Sequence, residues 1–317
     1  MVEKPLTQIF EGLDYNFLNR LLNQTSDCCS LLDKDLNYIF WNKAAEELTG
    51  IPKEEILGKS YRFDPPLFVN STGQNLCGGE NCPFEQTFKD KLPKILEVFI
   101  QHKNGFRIPI RLKILPVLNS SGQSVGLAQL FVNSSPAITI PLRIPDLEKM
   151  QLLDLDTGIP NRLYMEMYLK NKIEEYQKYN LPFGLVYADI DNFNKIQERF
   201  GRFNAAKLVR MIARTLHKNI RYFDVVARWE NEEFLIGLLN IDENRLDIVA
   251  NKLRLLVAES YITIETGLLN ATISMGATLV QRYDTVESLV KRAEQLMLHS
   301  KWRGRNKVSL TFTQKET

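Results

Sequence analysis

The sequence predicts a small α+β domain followed by an α/β domain whose mixed sheet is covered by helices. Its length of 317 residues favours two domains of roughly 120–170 residues each. Short strands dominate the first part of the chain, whereas strands and helices alternate from Asp154 onward. The apolar run Phe183–Asp189 has the length of a strand buried on both faces. We expect the first domain over residues 23–133 and the second over residues 154–317.

The first domain is predicted to be a curved sheet with short helices, preceded by an amphipathic helix within residues 1–22, over Phe10–Leu22. A polar Asp-Lys-Asp turn at residues 33–35 separates two short strands, and residues 103–105, Lys-Asn-Gly, form a hairpin turn. The other predicted elements are the helices Lys43–Leu48 and Glu54–Leu57 and the strands Lys94–His102, Phe106–Val117 and Val125–Val132.

Residues 134–153 are predicted to be a linker. Pro136, Pro141 and Pro145 interrupt any continuous helix, so a helical turn can begin only after them, in Asp146–Leu153. An extended, partly flexible connection is therefore favoured over a stiff coiled coil.

The composition is that of an ordinary water-soluble protein, with 44% hydrophobic residues, 25% charged residues and a net charge of +2. This balance argues against a DNA-binding scaffold and against a membrane-surface protein. The chain start lacks a basic segment followed by an apolar run, and no run of about 18 apolar residues occurs. We therefore expect no signal peptide, no transmembrane helix and a cytoplasmic location.

Four cysteines occur in the first third of the chain, as Cys28-Cys29 and as the pair Cys77 and Cys82. In a reducing compartment, free thiols are the default. Cys77 and Cys82 could form half of a metal site, but no histidine has metal-ligand spacing to them. A structural or redox-inert role is favoured, and the role of this pair stays open.

The second domain is predicted to alternate between helices and strands. Its elements are helix Asn161–Tyr179, strand Phe183–Asp189, helix Asn204–Asn219, strands Asp224–Trp229 and Phe234–Leu239, helix Arg245–Ala258, strand Ala271–Val280 and helix Thr285–Lys301.

Two carboxylates, Asp189 and Asp191, follow the buried strand at the sheet edge where ligands bind in open α/β folds. Mg²⁺ prefers oxygen ligands and usually takes one or two carboxylates together with substrate phosphates. The loop after Asp191 could offer backbone N–H groups to phosphates. Alone, this Asp-x-Asp pattern is equally consistent with solvated carboxylates at a strand end.

Two further segments supply charges to the same region. A tight turn after Arg228 brings Glu232 and Glu233 to the start of a strand, where they could face Asp189. The basic segment Lys301–Lys307 provides cations suited to triphosphate oxygens. Taken alone, that segment would also be a reasonable C-cap of a helix.

Several short motifs of the first domain lie in a known order: residues 31–35, Leu-Leu-Asp-Lys-Asp; Asn42–Gly50; residues 55–58, Glu-Ile-Leu-Gly; Gly73 with Cys77 and Cys82-Pro83; and residues 102–105, His-Lys-Asn-Gly. Together they resemble a PAS sensor domain over Leu31–Val132. The resemblance implies a domain that binds haem, flavin or a small metabolite, or that dimerises without a ligand. The flavin-adduct cysteine motif is absent and His102 falls in a predicted turn, so the PAS ligand is unknown.

Five motifs of the second domain also occur in a known order: Asp154–Arg162, Asp189–Phe193, the turn Trp229–Phe234, Ser274–Ala277 and Lys301–Asn306. They resemble the GGDEF domain of the diguanylate cyclase family, over Leu153–Phe312. The resemblance implies a nucleotide-cyclase-like fold, a homodimer and the condensation of two GTP molecules into cyclic di-GMP. Each monomer of such a dimer presents one Mg²⁺-bound GTP to the other.

The resemblance assigns roles to individual residues. Asp189 and Glu232 would ligate the metal through their carboxylates, and Ile190 through its backbone carbonyl. Glu232 and Glu233 are the catalytic candidates, because Glu233 would assist the metal or activate the 3′-hydroxyl. The residues expected to bind phosphate are Phe193, Asn194, Lys301 and Arg305.

The nucleoside side departs from the family pattern. Glu230 and Asn231 replace the signature glycines, and a left-handed conformation at Glu230 would cost on the order of 1 kcal/mol. The carboxylate of Glu230 would also repel an anionic nucleotide. Gln197 replaces an asparagine, and Ala206 replaces the aspartate that accepts from guanine. We expect cyclase activity to be weak or absent.

Arg221 and Asp224 have the Arg-x-x-Asp spacing of the family's inhibitory site. Arginine pairs with phosphate or with guanine edges, and aspartate accepts from guanine N–H groups, so this pair could hold cyclic di-GMP. A structural salt bridge on a helix-to-strand loop explains the spacing equally well.

Three functions stay open. The first is a non-catalytic signalling protein, in which a PAS input domain is coupled to a degenerate GGDEF domain that binds cyclic di-GMP or a protein partner. The second is an active diguanylate cyclase, since the metal and phosphate residues are all present. The third is a protein that binds GTP or another nucleotide at the former active site and uses the PAS domain as its output.

Overall fold

A computed structural model of the chain describes residues 15–62, 67–71, 73–77, 82–134 and 151–310. The chain divides into two compact units, which are described one after the other. The first part of the predicted N-terminal helix, most of the predicted linker and most of its expected helical turn lie outside the described residues. Within the described ranges, none of the helices combines the length and apolar character needed to cross a membrane.

The N-terminal unit is built on a six-stranded sheet with the strand order β2-β1-β6-β5-β4-β3. Strand β1 pairs antiparallel with both β2 and β6, and β5 pairs antiparallel with β6. The elements are α1 (Tyr15–Gln24), β1 (Cys28–Leu32), β2 (Tyr38–Trp41), α2 (Lys43–Thr49), α3 (Lys53–Ile56), β3 (Phe68–Val69), α4 (Pro83–Asp90), β4 (Lys94–Gln101), β5 (Arg107–Leu118) and β6 (Ser124–Asn133).

Asn42 connects three elements of this unit. Its Oδ1 atom accepts hydrogen bonds from the backbone N–H of Ala45, which caps α2, and from that of Cys29 on β1. Its Nδ2 atom donates to the backbone carbonyl of Leu22 at the end of α1. The fully buried Asn42 therefore orients α1, β1 and α2 together.

The strands and short helices predicted for this unit are confirmed, and α4 and β3 are present in addition to them. Proline at the first position of α4 is a helix-start signal that the sequence carried. Cys77 and Cys82 are both buried free thiols, and burial raises the pKa of the Cys77 thiol. Their burial is consistent with the favoured structural role, which stays a prediction.

The C-terminal unit contains a five-stranded sheet with the order β13-β12-β7-β9-β8. Strand β7 is central and antiparallel to β12 and β9, and β13 is parallel to β12. The elements are α5 (Arg162–Tyr179), β7 (Phe183–Ile190), α6 (Phe193–Lys218), β8 (Val225–Glu230), β9 (Glu233–Leu239), α7 (Glu243–Ala258), β10 (Tyr261–Ile264), β11 (Gly267–Asn270), β12 (Ile273–Leu279), α8 (Val286–Trp302) and β13 (Val308–Leu310).

Every residue of β7 is buried, as the apolar run predicted. Helices α5 and α8 share one core cluster with this strand, to which Leu169, Leu185 and Ala293 belong. Helix α8 also packs closely on β12, since a Cβ atom at Gly276 would lie 2.1 Å from the carbonyl oxygen of Ala293. This close packing fixes the end of α8, which carries Lys301, beside the end of β7.

The predicted mixed sheet covered by helices is confirmed, with two differences. Helix α6 begins at Phe193 and not at Asn204, because it continues through a kink at Gly201, where φ is 80° and ψ is 157°. Glycine adopts that backbone conformation without strain, and the helix segment before it, from Phe193, was not predicted. The hairpin of β10 and β11 and the short strand β13 were not predicted.

Candidate functional site

Three carboxylate-bearing residues lie side by side at one end of the C-terminal sheet. Asp189 on β7 is aligned with Glu233 on β9, and Glu233 is aligned with Glu230 on β8. Glu232 lies in the two-residue turn between β8 and β9, where its carbonyl oxygen accepts a hydrogen bond from Ile190 at 3.3 Å. The antiparallel pairing of β7 with β9 therefore brings together acids that are about 40 residues apart in the sequence.

Asp189 is the most buried of these acids, with 5% of its surface exposed. Its Oδ2 atom lies 2.6 Å from Lys301 Nζ, whereas its buried Oδ1 atom has no hydrogen-bond partner among the described residues. Burial raises the pKa of Asp189, and Lys301 opposes that effect. An unpaired buried carboxylate oxygen is costly in a metal-free protein, so this atom is a natural ligand for a cation.

Glu232 and Glu233 share this electrostatic environment. Burial is the largest cause that raises the pKa of each, and the charge of Asp189 raises both further. The Tyr187 hydroxyl donates a 2.8 Å hydrogen bond to Glu233 Oε2, which works in the opposite direction. A divalent cation would relieve the mutual repulsion of these carboxylates, so the residues present fit Mg²⁺.

Asp191 has a different role from Asp189. It accepts hydrogen bonds from the hydroxyls of Thr272 and Ser274, each at 2.6 Å, and from the backbone N–H of Asn306 at 3.0 Å. With only 3% of its surface exposed, it joins β7 to β12 and to the loop before β13. The alternative of solvated strand-end carboxylates is wrong, since Asp189 and Asp191 are both buried.

Backbone N–H groups and cations lie around the residues that were predicted to bind phosphate. Asn192 adopts a left-handed conformation, with φ of 55°, and α6 begins immediately after it at Phe193 and Asn194. The N–H groups of a first helical turn favour anions. The loop after α8 is also left-handed, with positive φ at Gly304 and Arg305, and the structure leaves the Arg305 side chain exposed.

The signature turn, Trp229–Phe234, does not have the backbone strain that was expected. Neither Glu230 nor Asn231 has a positive φ angle, so the predicted left-handed cost at Glu230 is wrong. The strand register shifts between Arg228 and Glu230, and Arg228 Nη2 donates to the Asn231 carbonyl at 2.7 Å. This bulge and this hydrogen bond close the turn without the glycine conformation.

Arg228 also connects the turn to the segment that precedes α5. Its Nη1 atom lies 3.1 Å from Asp154 and 3.0 Å from Asp156. The Arg228 backbone N–H donates to the Pro160 carbonyl at 2.9 Å. These partners were not among the predicted site residues; the opposite charges of Asp154 and Arg228 were the available signal.

The two altered nucleoside positions lie on either side of the kink in α6. Gln197 precedes Gly201 and Ala206 follows it, and both side chains are half-buried. The neighbouring Ala205 is fully buried in the helix packing. Ala206 carries no hydrogen-bonding group, so this position cannot accept from a base.

Asp224 closes the connection between α6 and β8. Its two carboxylate oxygens accept hydrogen bonds from the backbone N–H groups of Arg221, at 3.1 Å, and of Leu239, at 3.0 Å. Asp224 therefore contacts the backbone of Arg221 and not its guanidinium group, and the Arg221 side chain is exposed. The loop holds the two residues close together, with the arginine side chain open to solvent.

Comparison with protein families identifies both units. The family described as diguanylate cyclase, GGDEF domain, matches residues 151–307, and the PAS domain family matches residues 26–134. Among curated proteins, the chain is 26% identical over 159 residues to the diguanylate cyclase DosC of Escherichia coli, covering 50% of this chain and 35% of that protein. It is 31% identical over 163 residues to the response regulator PleD of Caulobacter vibrioides, covering 50% of this chain and 36% of that protein.

A longer match extends over both units. The diguanylate cyclase A of Treponema denticola is 24% identical over 269 residues, which cover 80% of this chain and 71% of that protein. The match to the first curated relatives spans only about a third of their length.

Solved structures share the fold of the C-terminal unit. The diguanylate cyclase SiaD of Pseudomonas aeruginosa, in complex with its activator SiaC, is 27% identical, with a TM-score of 0.50, covering 52% of this chain and 64% of that one. The coiled coil and GGDEF domain of DgcB from Caulobacter crescentus, in complex with c-di-GMP, is 19% identical, with a TM-score of 0.50, covering 53% of this chain and 90% of that one. The chain therefore consists of a PAS domain followed by a GGDEF domain of the diguanylate cyclase family.

Proposed function

We propose that the protein acts in cyclic di-GMP signalling, with the PAS domain as input and the GGDEF domain as a nucleotide-binding module of weak or absent cyclase activity. The observation that carries the proposal is the contrast between the two halves of the site. Asp189, Glu232, Glu233 and Lys301 form a complete set of metal and phosphate groups, whereas Ala206 offers no acceptor to a guanine base. Such a site can hold the metal and phosphates of a nucleotide, but it lacks the base recognition that would hold GTP in a productive position.

Asp189 and Glu232 would hold Mg²⁺, together with the Ile190 carbonyl and phosphate oxygens of the ligand. Within the described residues, no cluster of three or more cysteine, histidine and acidic side chains is arranged to hold a metal alone. Mg²⁺ typically takes only one or two carboxylates plus substrate phosphates. When bound, the ion would neutralise phosphate charge, while Lys301 would exchange its contact with Asp189 for one with the triphosphate.

Phe193, Asn194 and Arg305 would contact the phosphates from the two sides of the site. The first two would do so through the N–H groups at the start of α6, and Arg305 through its exposed guanidinium. At the separate loop, the exposed Arg221 beside Asp224 would hold cyclic di-GMP. GTP and cyclic di-GMP are thus the two ligands that we propose. We also propose that the protein forms homodimers and passes its signal to a protein partner.

An active diguanylate cyclase is the second candidate. The observation that favours it is the ion pair between Glu230 and Arg162, at 2.6 Å, which neutralises the carboxylate that was expected to repel the nucleotide. The absence of positive φ at Glu230 and Asn231 also removes the expected strain.

The decisive experiment incubates purified protein with GTP and Mg²⁺ and measures product by mass spectrometry and binding by calorimetry. The proposal expects Mg²⁺-dependent GTP binding, little cyclic di-GMP formation, and cyclic di-GMP binding that Arg221→Ala weakens. Sustained cyclic di-GMP synthesis that Asp189→Ala abolishes would establish the cyclase instead. If the protein binds neither GTP nor cyclic di-GMP, the proposed nucleotide function is wrong.

A further inference from the structure

Two cations flank the row of acids at the end of the C-terminal sheet. At one end of the row, Lys301 pairs with Asp189 on β7 at 2.6 Å. At the other end, Arg162 Nη1 pairs with Glu230 Oε1 on β8, also at 2.6 Å. Glu233 lies between them on β9, aligned with both acids. The outer acid of the row therefore has its own counter-ion, supplied by the first residue of α5.

Three contacts hold the Arg162 guanidinium in place. Besides Glu230, it donates from Nε to Glu166 Oε1 at 2.9 Å, one helical turn further along α5. It also stacks over the indole ring of Trp229, with 4.3 Å between the guanidinium carbon and the ring centre. Trp229 is the residue at which the strand register shifts. Arg162 thus neutralises the charge of Glu230, which follows the bulge, and orients its side chain.

The charge of Glu230 matters because of its distance from the metal and phosphate groups. Neighbouring strands lie about 4.8 Å apart, so the backbone of Glu230, two strands from Asp189, lies about 10 Å from it. This distance is comparable to the Debye length of about 8–10 Å at physiological ionic strength. Without a counter-ion, Glu230 would add repulsion against a bound triphosphate.

Resting on the proposed function, we propose that Arg162 is a positioning residue for the nucleotide site. It neutralises Glu230 and holds this side chain against α5 and Trp229. A turn that carries a carboxylate in place of glycine can then accept an anionic nucleoside triphosphate. Arg162 acts through Glu230 and is not itself a phosphate ligand.

The test is a double-mutant cycle on the full chain, with Mg²⁺–GTP binding measured by calorimetry. Arg162→Met removes the charge and keeps an apolar stem over Trp229. We expect roughly fivefold weaker GTP binding in this variant, the upper range for a half-exposed ion pair, and a smaller loss for GDP, which carries less charge. Glu230→Gln and the double variant should bind GTP at least as tightly as the wild type. These expectations distinguish a charge effect from a loss of packing.

A matched control removes a comparable surface arginine. Arg245 pairs with Asp242 at 3.6 Å at the start of α7. Helix α7 follows the end of β9 that is opposite to the signature turn. Arg245→Met should leave GTP binding unchanged. As a spectroscopic readout, the ¹⁹F resonance of 5-fluorotryptophan at Trp229, assigned through Trp229→Phe, should shift in Arg162→Met and stay in place in Arg245→Met.

Three outcomes would overturn the inference. The first is an affinity for GTP in Arg162→Met equal to that of the wild type. The second is a double variant that binds GTP as weakly as Arg162→Met, which would make Arg162 a direct ligand. The third is GTP binding by Glu230→Gln in the absence of GTP binding by the wild type. The third outcome would contradict the role of Arg162 but would still support a nucleotide site. If neither the wild type nor any variant binds GTP, the proposed nucleotide binding fails, and the inference fails with it.

Discussion

Lys301 Nζ lies 2.6 Å from Asp189 Oδ2, and this contact joins the last turn of α8 to the end of the central strand β7. The sequence placed the two residues in separate roles, one on phosphate and one on metal. In the structure they neutralise each other. If Mg²⁺ and a nucleotide bind as proposed, the ion would replace Lys301 beside Asp189, and the phosphates would replace Asp189 beside Lys301.

Asp189→Asn is expected to stabilise the protein and to remove its metal-dependent GTP binding. Burial raises the pKa of Asp189 even though Lys301 pairs with it, so burying this charge costs more than the ion pair returns. The substitution removes that cost and lowers the repulsion on Glu232 and Glu233. We expect the free energy of unfolding to rise by about 0.5–2 kcal/mol, as is common when a strained functional group is removed. Urea denaturation and calorimetry with Mg²⁺–GTP measure the two effects. A loss of stability in this variant would contradict the assignment.

Asp191→Ala is expected to have the opposite effect on stability. It leaves the Thr272 and Ser274 hydroxyls and the Asn306 N–H group without their buried acceptor. The cost should be about 3 kcal/mol or more, because hydrogen bonds to a charged group are lost together. Thermal unfolding measures it, and Asp189→Asn is the matched comparison two residues away. Equal stability of the two variants would argue against the division of roles between Asp189 and Asp191.

The stability of the ligand-free protein should depend on the ionisation of Asp189, Glu232 and Glu233. Their pKa values are raised in the folded state, chiefly by burial. The folded protein therefore binds their protons more tightly than the unfolded chain does. The contribution of these acids is favourable at low pH and declines as the pH rises from their ordinary pKa, about 4, through the raised values.

The difference in urea midpoint between the wild type and Asp189→Asn separates the contribution of Asp189 from that of acids whose pKa is lowered in the folded state. Asp284 is one of these, because Arg292 lowers its pKa against the effect of burial. The advantage of the variant should grow with pH across this window. Mg²⁺–GTP binding by the wild type should strengthen across the same window, since the metal needs ionised carboxylates. A pH-independent difference would contradict the electrostatic account.

Restoring the family's residues at positions 197 and 206 should restore base selectivity. The variant Gln197→Asn with Ala206→Asp places an acceptor on the half-buried face of α6 after the kink. We expect its preference for GTP over ATP, measured as the ratio of dissociation constants, to rise about tenfold or more. Ala205→Ser, at the adjacent buried position, is the control. An unchanged ratio would show that these positions do not face the base.

Local sequence patterns were sufficient for most of the fold. The all-apolar stretch from Phe183 predicted the central strand, and the cap residues Asn161 and Thr285 accompany helices that were predicted within one residue of their observed starts. The kink at Gly201 was missed, because a glycine within a polar, charged stretch is as typical of a loop as of a bent helix. The hairpin of β10 and β11 was missed as well, since its strands are only four residues each.

The sequence by itself determined the residue types of the candidate site, because acids at a strand end, a tight turn and a basic helix end are local features. The tertiary structure decided which partners each of them has. It separated Asp189 from Asp191 by giving only the latter three hydrogen-bond donors, and it paired Glu230 with Arg162, which lies 68 residues earlier in the chain. Such partners depend on strand register and helix packing, and charge compensation between distant segments cannot be read from the spacing of either segment.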